Sequence, residues 1–453
     1  MTRVLLVSYS FPPLKGAEVT ITTNYVQTLP TLGCSLMVLT GDPALKETDD
    51  DMIRSIPVGV LVVRATSIED LVLRLLGRLG LADVRSVSEL EVEMDDDSHQ
   101  STASVLSALR HAKPLPNHVV GWVPFATWKG KKLLRDVDCI ISRSNPITSH
   151  LVALKLKSWS RLPWIACFSD PWTLDPDPPY SGRFFSPRFI STLSRRLERQ
   201  IFRRADAVVL TTEEQRQMYS YEYPEFDSKI VVIPNSFPPD IQAQLVKLQD
   251  QITGPKSDEE APYAILHAGN LFRRRSPEPV FVALVLLKNT QPDIYKNLRV
   301  TFLGEMSSFS TLVREYGLND IVNVKPPVPR MEALRQCLAA DLLLLIDAPS
   351  ASRSVFLPSK VLDYIVIGKP ILAITPEGAC ADIVRQTRTG LVIASYTAGD
   401  IAAGITDFYL KSRKGIERLD RNWHEIEKYS TETCAARLVQ LVEQLRQSPG
   451  CEP

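Results

Sequence analysis

The stretch Phe356-Leu-Pro-Ser-Lys-Val-Leu-Asp-Tyr-Ile-Val-Ile-Gly-Lys-Pro-Ile-Leu-Ala-Ile374 constrains the fold more than any other part of the chain. It reads as a short helix, a stop and a buried strand. Pro358 suits a first helical turn, where a missing N–H costs nothing. Gly368 suits the left-handed closing position, and Pro370 keeps the helix from resuming. Val361, Leu362, Ile365 and Val366 form one apolar stripe at helical spacing, and Lys360, Asp363, Tyr364 and Ile367 form a second. Ile371 to Ile374 is a continuous apolar run, the mark of a strand covered on both faces. A lysine and an aspartate would then stand together where a helix meets a parallel sheet, the usual place for a nucleotide in open α/β folds. From spacing alone, the same two residues also fit a solvated pair on a surface helix.

The alternation of apolar run, polar loop and helix recurs along the chain and predicts an α/β protein of doubly wound parallel sheets. Apolar runs at Val4–Ser8, Ser35–Thr40, Gly59–Arg64, Asp138–Ser142, Trp164–Phe168, Ala205–Thr212 and Ile230–Ile233 fill the first half. Tyr263–Gly269, Leu298–Gly304, Asp341–Ile346 and Leu391–Ala394 join Ile371–Ile374 in the second. A chain of 453 residues is too long for one core. The Pro-, Gln-, Lys- and Glu-rich stretch 237–262 predicts a polar linker between a domain at 1–236 and one at 263–420. The remainder, 421–453, carries a helix over Thr431–Gln447. An apolar stripe at Leu71, Val72, Leu75, Leu76 and Leu79 beside Arg74 and Arg78 fits a helix packed on its own domain or one lying on a membrane surface. The acidic stretch Glu89–Asp97 reads as an exposed loop.

Charge excludes some classes of function. With 52 basic and 52 acidic residues, nothing points to a nucleic-acid groove. The seven cysteines are scattered singly and read as reduced thiols of a cytoplasmic protein. No two of the six histidines lie four apart, so no metal site is expected. The opening Met-Thr-Arg runs straight into a strand, so no secretory signal is expected, and no apolar run is long enough to span a membrane.

Several polar residues fall at strand ends, where such sheets keep their sites. Gly16 sits in the loop after the first strand, ahead of a helix whose N–H groups can take a phosphate, though one glycine also fits a simple turn. Asp170 follows the Trp164–Phe168 strand, in a place that also suits a turn aspartate before proline. Arg273, Arg274 and Arg275 follow Gly269, and forked, permanently charged guanidinium groups suit phosphate. Gly378 opens a further helix with free N–H groups.

Pro-Ser-Lys-Val-Leu-Asp-Tyr, then Gly-Lys-Pro and an apolar strand, resembles the donor-nucleotide segment of the family 4 retaining glycosyltransferases. Gly16-Ala-Glu18 is similar to that family's opening loop, and Ser169-Asp-Pro-Trp172 to the turn of a subgroup, with Ser169 where more typical members carry histidine. Arg275 stands six positions after Gly269, as does the family's basic residue. Ile321–Arg330 resembles the segment beside the nucleotide base, which places Val328 there. The resemblance implies the GT-B fold, two Rossmann-like domains facing across a cleft, with the C-terminal helix returning to the first. It implies Asp363 as the acid on the ribose hydroxyls, and Arg275 with Lys360, beside Arg274, as the cations on the donor diphosphate. Gly16, Gly269 and Val328 would offer backbone, and Asp170 would stand at the reacting sugar.

The implied reaction is transfer of a sugar, with retention, from a nucleotide sugar to a hydroxyl of a glycan or lipid-linked glycan. Neither metal nor cofactor is needed, because the cations can carry the leaving diphosphate's charge. A place at the inner face of a membrane stays open. Most members carry a second acid eight residues before the ribose acid; Val355 stands there, and Asp347 can replace it only if its loop folds inward. Two other readings remain: a nucleotide-sugar epimerase on the same architecture, and a non-catalytic partner that binds a nucleotide sugar.

Overall fold

The computed structural model describes residues 1–42, 53–78, 119–175, 187–251, 261–271, 274–306, 309–416 and 419–447. They fall into two compact units, Met1–Asn235 with Thr431–Pro453, and Ser236–Ser430. Leu79, Glu89–Asp97 and Arg273, singled out above, lie outside the described residues.

The first unit runs β1 (Thr2–Val7), α1 (Ala17–Thr28), β2 (Cys34–Gly41), β3 (Leu61–Ala65), α2 (Ile68–Arg78), α3 (Trp122–Leu133), β4 (Cys139–Arg143), α4 (Thr148–Trp159), β5 (Trp164–Cys167), α5 (Pro187–Arg204), β6 (Ala207–Leu210), α6 (Glu213–Glu222) and β7 (Ile230–Val232). Its described strands lie in the order β3-β2-β1-β4-β5-β6-β7, every neighbouring pair parallel. Strands β5 and β6 are apolar throughout, and β1 and β4 hold apolar runs at Val4–Val7 and Cys139–Ile141, because helices cover both faces. One face carries a core around Leu5, Val7, Trp122, Trp164 and Phe202. On the other, Ile21 and Tyr25 of α1, with Leu29 just after it, meet Cys434, Leu438 and Val442 of the C-terminal helix Thr431–Gln447.

The second unit continues with α7 (Ile241–Gln251), β8 (Tyr263–Ala268), α8 (Glu278–Thr290), β9 (Leu298–Leu303), β10 (Val322–Lys325), α9 (Arg330–Ala339), β11 (Leu342–Ile346), α10 (Ser359–Ile367), β12 (Ile371–Ile374), α11 (Ala379–Gln386), β13 (Gly390–Ile393) and α12 (Ala398–Arg413). Its strands lie parallel in the order β10-β9-β8-β11-β12-β13. Pro358 precedes α10 as its cap, and Gly368 closes it at φ +85°. In each unit the strand order reverses beside the first strand, at β1/β4 and at β8/β11. Chains leave a parallel sheet there in opposite directions and open a crevice at the carboxyl ends.

Two expectations change. Residues 237–251 are no linker: Phe237, Ile241, Leu245 and Leu248 are buried in the second core with Leu334 and Leu338. Their apolar stripe has helical period but sits among glutamines and lysines that dilute the composition. The stripe on α2 is not fully covered, since Leu71, Val72 and Leu75 remain exposed.

Candidate functional site

The second unit's site begins where β8 ends. The chain leaves through Gly269 at φ +123°, a conformation that side chains disfavour. A Cβ there would stand 2.8 Å from Lys360 Nζ. Gly304, after β9, has φ +143°, and its Cβ would meet the Gly269 carbonyl at 2.7 Å. Two bare backbones and a lysine therefore share one corner. The Ala268 N–H donates to Tyr364 Oη at 2.9 Å, which fixes α10 against the end of β8.

Gly269, Gly304, Val328, Arg330, Lys360 and Asp363 line a pocket of about 230 Å³. Sites for whole drug-sized ligands run from roughly 300 to 1,000 Å³. A pocket of this size takes a fragment of such a ligand and not the whole of it.

Lys360 Nζ lies 3.2 Å from His267 Nε2. His267 Nδ1 is 2.9 Å from the Leu344 carbonyl, which only accepts, so Nδ1 carries the proton and Nε2 receives a hydrogen bond from the ammonium. Burial, with Lys360 beside it, holds His267 well below the usual imidazole range, and so neutral. Burial and the nearby Arg275 charge push Lys360 down to about 8, with Asp347 opposing. Arg275 Nε donates to Asp347 Oδ1 at 3.2 Å. Asp347 is buried, and its Oδ2 has no partner among the described residues. Asp347 thus does fold inward, while Val355 is a buried apolar residue. Arg275 stands within electrostatic reach of Lys360, outside the pocket lining, and Arg274 turns outward to donate to the Pro349 carbonyl at 2.6 Å.

Lys360 and Asp363 face one hollow but do not pair with each other. Arg330 takes both Asp363 oxygens, Nη2 at 2.8 Å and Nη1 at 3.1 Å. Sequence reasoning reached Arg330 only as the end of the base segment, because a partner from another helix leaves no local signal. The helix start at Gly378 is also unlike its expectation. A Cβ there would strike Ser354 backbone, and the Ala379 N–H donates to the Ser354 carbonyl at 3.3 Å. That N–H is engaged by protein.

In the first unit the crevice lies past β1 and β4. Gly16 caps α1 at φ +133° with open space around its missing Cβ, so conformation rather than crowding asks for glycine. Glu18 stands 3.0 Å from Ser169 Oγ, which lies 2.8 Å from the Ser144 carbonyl. One hydroxyl proton cannot serve two acceptors fully. Ser169 Oγ is the donor to Glu18 Oε2. Burial, opposed by Arg143 and helped by nearby Asp170, pushes Glu18 up to about 8, so it is mostly neutral at pH 7. The Asn145 side-chain amide donates to Asp170 Oδ2 at 3.2 Å. Arg143 is buried, 4.7 Å from the Tyr25 ring centroid, with Nη2 3.4 Å from Asn235 Oδ1. The family's Gly-Ala-Glu opening contained Glu18, but only the fold sets it beside Asp170.

Two doubly wound parallel-sheet units, each with polar groups at its switch point, define the GT-B class. Sucrose-phosphate synthase from Thermosynechococcus elongatus has this fold, with a TM-score of 0.64 at 15% identity over 98% of this chain and 99% of that one. So does Anabaena HepE, solved in complex with UDP, with a TM-score of 0.62 at 12% identity over 98% and 100%. Residues 16–236 match the family described as glycosyl transferase 4-like domain, and residues 249–426 that described as glycosyl transferases group 1. Together the two matches span most of the chain, which belongs to these glycosyl transferase families. Among curated relatives, D-inositol 3-phosphate glycosyltransferase of Pseudarthrobacter chlorophenolicus is 32% identical over 152 residues, 32% of this chain and 34% of the relative. That of Paenarthrobacter aurescens is 29% identical over 164 residues, 35% and 38%. The matches span just over a third of those relatives' length.

Proposed function

We propose that the protein transfers a sugar from a nucleotide sugar to a hydroxyl of a glycan or lipid-linked glycan, retaining the anomeric configuration and needing no metal. One observation carries this reading: Lys360 and Asp363 face the same small pocket over the bare backbone of Gly269 and Gly304. A ribose diol fits the Asp363 carboxylate, and backbone without side chains admits a phosphate. The acceptor oxygen bonds to the anomeric carbon while the bond from that carbon to the diphosphate breaks. The diphosphate leaves with the electron pair and takes the acceptor's proton. Lys360 and Arg275 stabilise the charge that builds on it. In the first unit, Asp170 accepts from a sugar hydroxyl, and Glu18, being neutral, orders Ser169 beside it. The curated relatives are named for transfer to D-inositol 3-phosphate, which makes a cyclic polyol an acceptor class to include.

Calorimetric titration of UDP, GDP and ADP sugars against the parent, Asp363→Ala and Arg275→Ala tests the site. The expected result is binding of one base class that weakens in both variants, with EDTA without effect. Unchanged affinity in both variants overturns it. Analysis of products with and without a glycan acceptor separates transfer from epimerisation.

A further inference from the structure

On the first unit, α3 packs on α4 and α4 on α5, leaving a groove of about 1180 Å³ along their outer side. Its charge does not follow the balance of the whole chain. Helices α3 and α4 together hold five lysines and no aspartate or glutamate. Between Phe189 and Arg204, α5 holds five arginines and one acid, Glu198. That acid faces inward: Glu198 is buried and accepts from Tyr219 Oη at 2.8 Å and Tyr223 Oη at 3.1 Å. Two of the lysines are engaged, Lys157 by Asp206 at 2.6 Å and Lys129 by the Arg64 carbonyl. Lys131, Lys132, Lys155, Arg161 and Arg204 have no acidic partner among the described residues.

Two indoles stand in this field. Trp128 is 60% exposed and Trp159 42%, unusual for the largest apolar side chain. The lysines lie against them: Lys132 Nζ is 4.0 Å from the Trp128 ring centroid, and Lys131 and Lys155 are 4.9 and 5.2 Å from that of Trp159. Leu151, Leu154 and Leu197 give the groove an apolar floor.

We infer that this face of α3, α4 and α5 is a docking surface for an anionic lipid bilayer, with Trp128 and Trp159 entering the headgroup layer and the lysines and arginines meeting the lipid charges. Indole rings favour that depth, apolar at one end and wet at the other. Basic residues near an anionic leaflet each add to the attraction, and five such groups on one face act together. Single-stranded nucleic acid also combines stacking with charge, but it has no use for an apolar floor of leucines. The inference stands apart from the donor-site reading, since none of these residues touches the second unit's pocket.

The test is cosedimentation of the full chain with phosphatidylglycerol-containing vesicles and with pure phosphatidylcholine vesicles, at low and at 0.5 M salt, where charges are largely screened. The expected result is at least roughly tenfold more protein bound to the anionic vesicles, lost in high salt. Lys131→Glu/Lys132→Glu/Lys155→Glu and Trp128→Ser/Trp159→Ser should each lose most of it. Donor-nucleotide affinity, read by calorimetry, should stay unchanged in both variants, and a parent-like circular dichroism spectrum and Tm show that they fold. Equal binding to both lipids, or variants that sediment like the parent, overturns the inference. So does binding of a single-stranded oligonucleotide with none to vesicles.

Discussion

Arg330 grips both carboxylate oxygens of Asp363, at 2.8 and 3.1 Å, across the pocket that Lys360 shares. The pair is partly solvated, with side-chain exposures of 39% and 21%, so it adds little to stability, about 0–1 kcal/mol. Its effect is on aim: a forked guanidinium leaves the carboxylate one orientation. Asp363→Ala should weaken donor binding by about 2–4 kcal/mol, and Arg330→Ala by less, since the acid remains but swings. Calorimetry gives the affinities. Equal losses in the two variants would show that Arg330 contacts the donor itself.

Lys360 predicts a pH dependence. Its pKa in the fold is pushed down to about 8, so the cation needed for a diphosphate is lost as pH rises through that value. Donor binding should fall above about pH 8, and binding measured there should draw a proton onto Lys360. Titration in buffers of different ionisation enthalpy measures that uptake, which Lys360→Met should abolish. The same depressed value makes the charged lysine a cost to the fold below about pH 8. That cost fades between pH 8 and the lysine's ordinary range, so the group's contribution to stability improves as pH rises there.

The glycine pair separates two costs. Gly269→Ala places a methyl against the flexible end of Lys360, at φ +123°, and should destabilise by about 1–3 kcal/mol while displacing the ammonium. Gly304→Ala meets the backbone of Gly269, which cannot swing aside, and should cost more. Urea unfolding ranks them. If Gly304→Ala is the milder, the contact is not rigid.

Glu18 gives the opposite sign of test. A carboxyl pushed up to about 8 by burial is neutral in the fold at pH 7 and ionised when unfolded, so it costs stability increasingly from about pH 4.5 to 8. Glu18→Gln removes that cost and keeps a neutral neighbour for Ser169. The variant's Tm should match the parent's near pH 4.5 and exceed it at pH 8. A Tm advantage that does not change with pH would mean Glu18 is ionised in the fold.

The lettering of the chain shows why some of this could be read early. The α10 stripe, the Gly368 stop and the Ile371–Ile374 run are local patterns of period 3.6 or continuous burial, and the strands other than β10, which reads Val-Asn-Val-Lys, announce themselves the same way. Gly269, Lys360 and Asp363 were legible as neighbours of strand ends, and Val328 only through the family resemblance. Ile241, Leu245 and Leu248 were not, because polar outward residues hid their helix. The pairings of Arg330, Asp347, His267 and Glu18 were not, because their partners lie 33, 72, 93 and 151 positions away.

Sequence alone therefore determined the two α/β units, their strands and the residues offered at their edges, since those follow from spacing along one segment. Tertiary structure alone decided which offers are taken. It folded Asp347 onto Arg275, gave Asp363 to Arg330, set Lys360 against a neutral His267 and kept the proton on Glu18. Hydrogen bonds and burial act through space, and only the packed sheets bring those distant positions within reach.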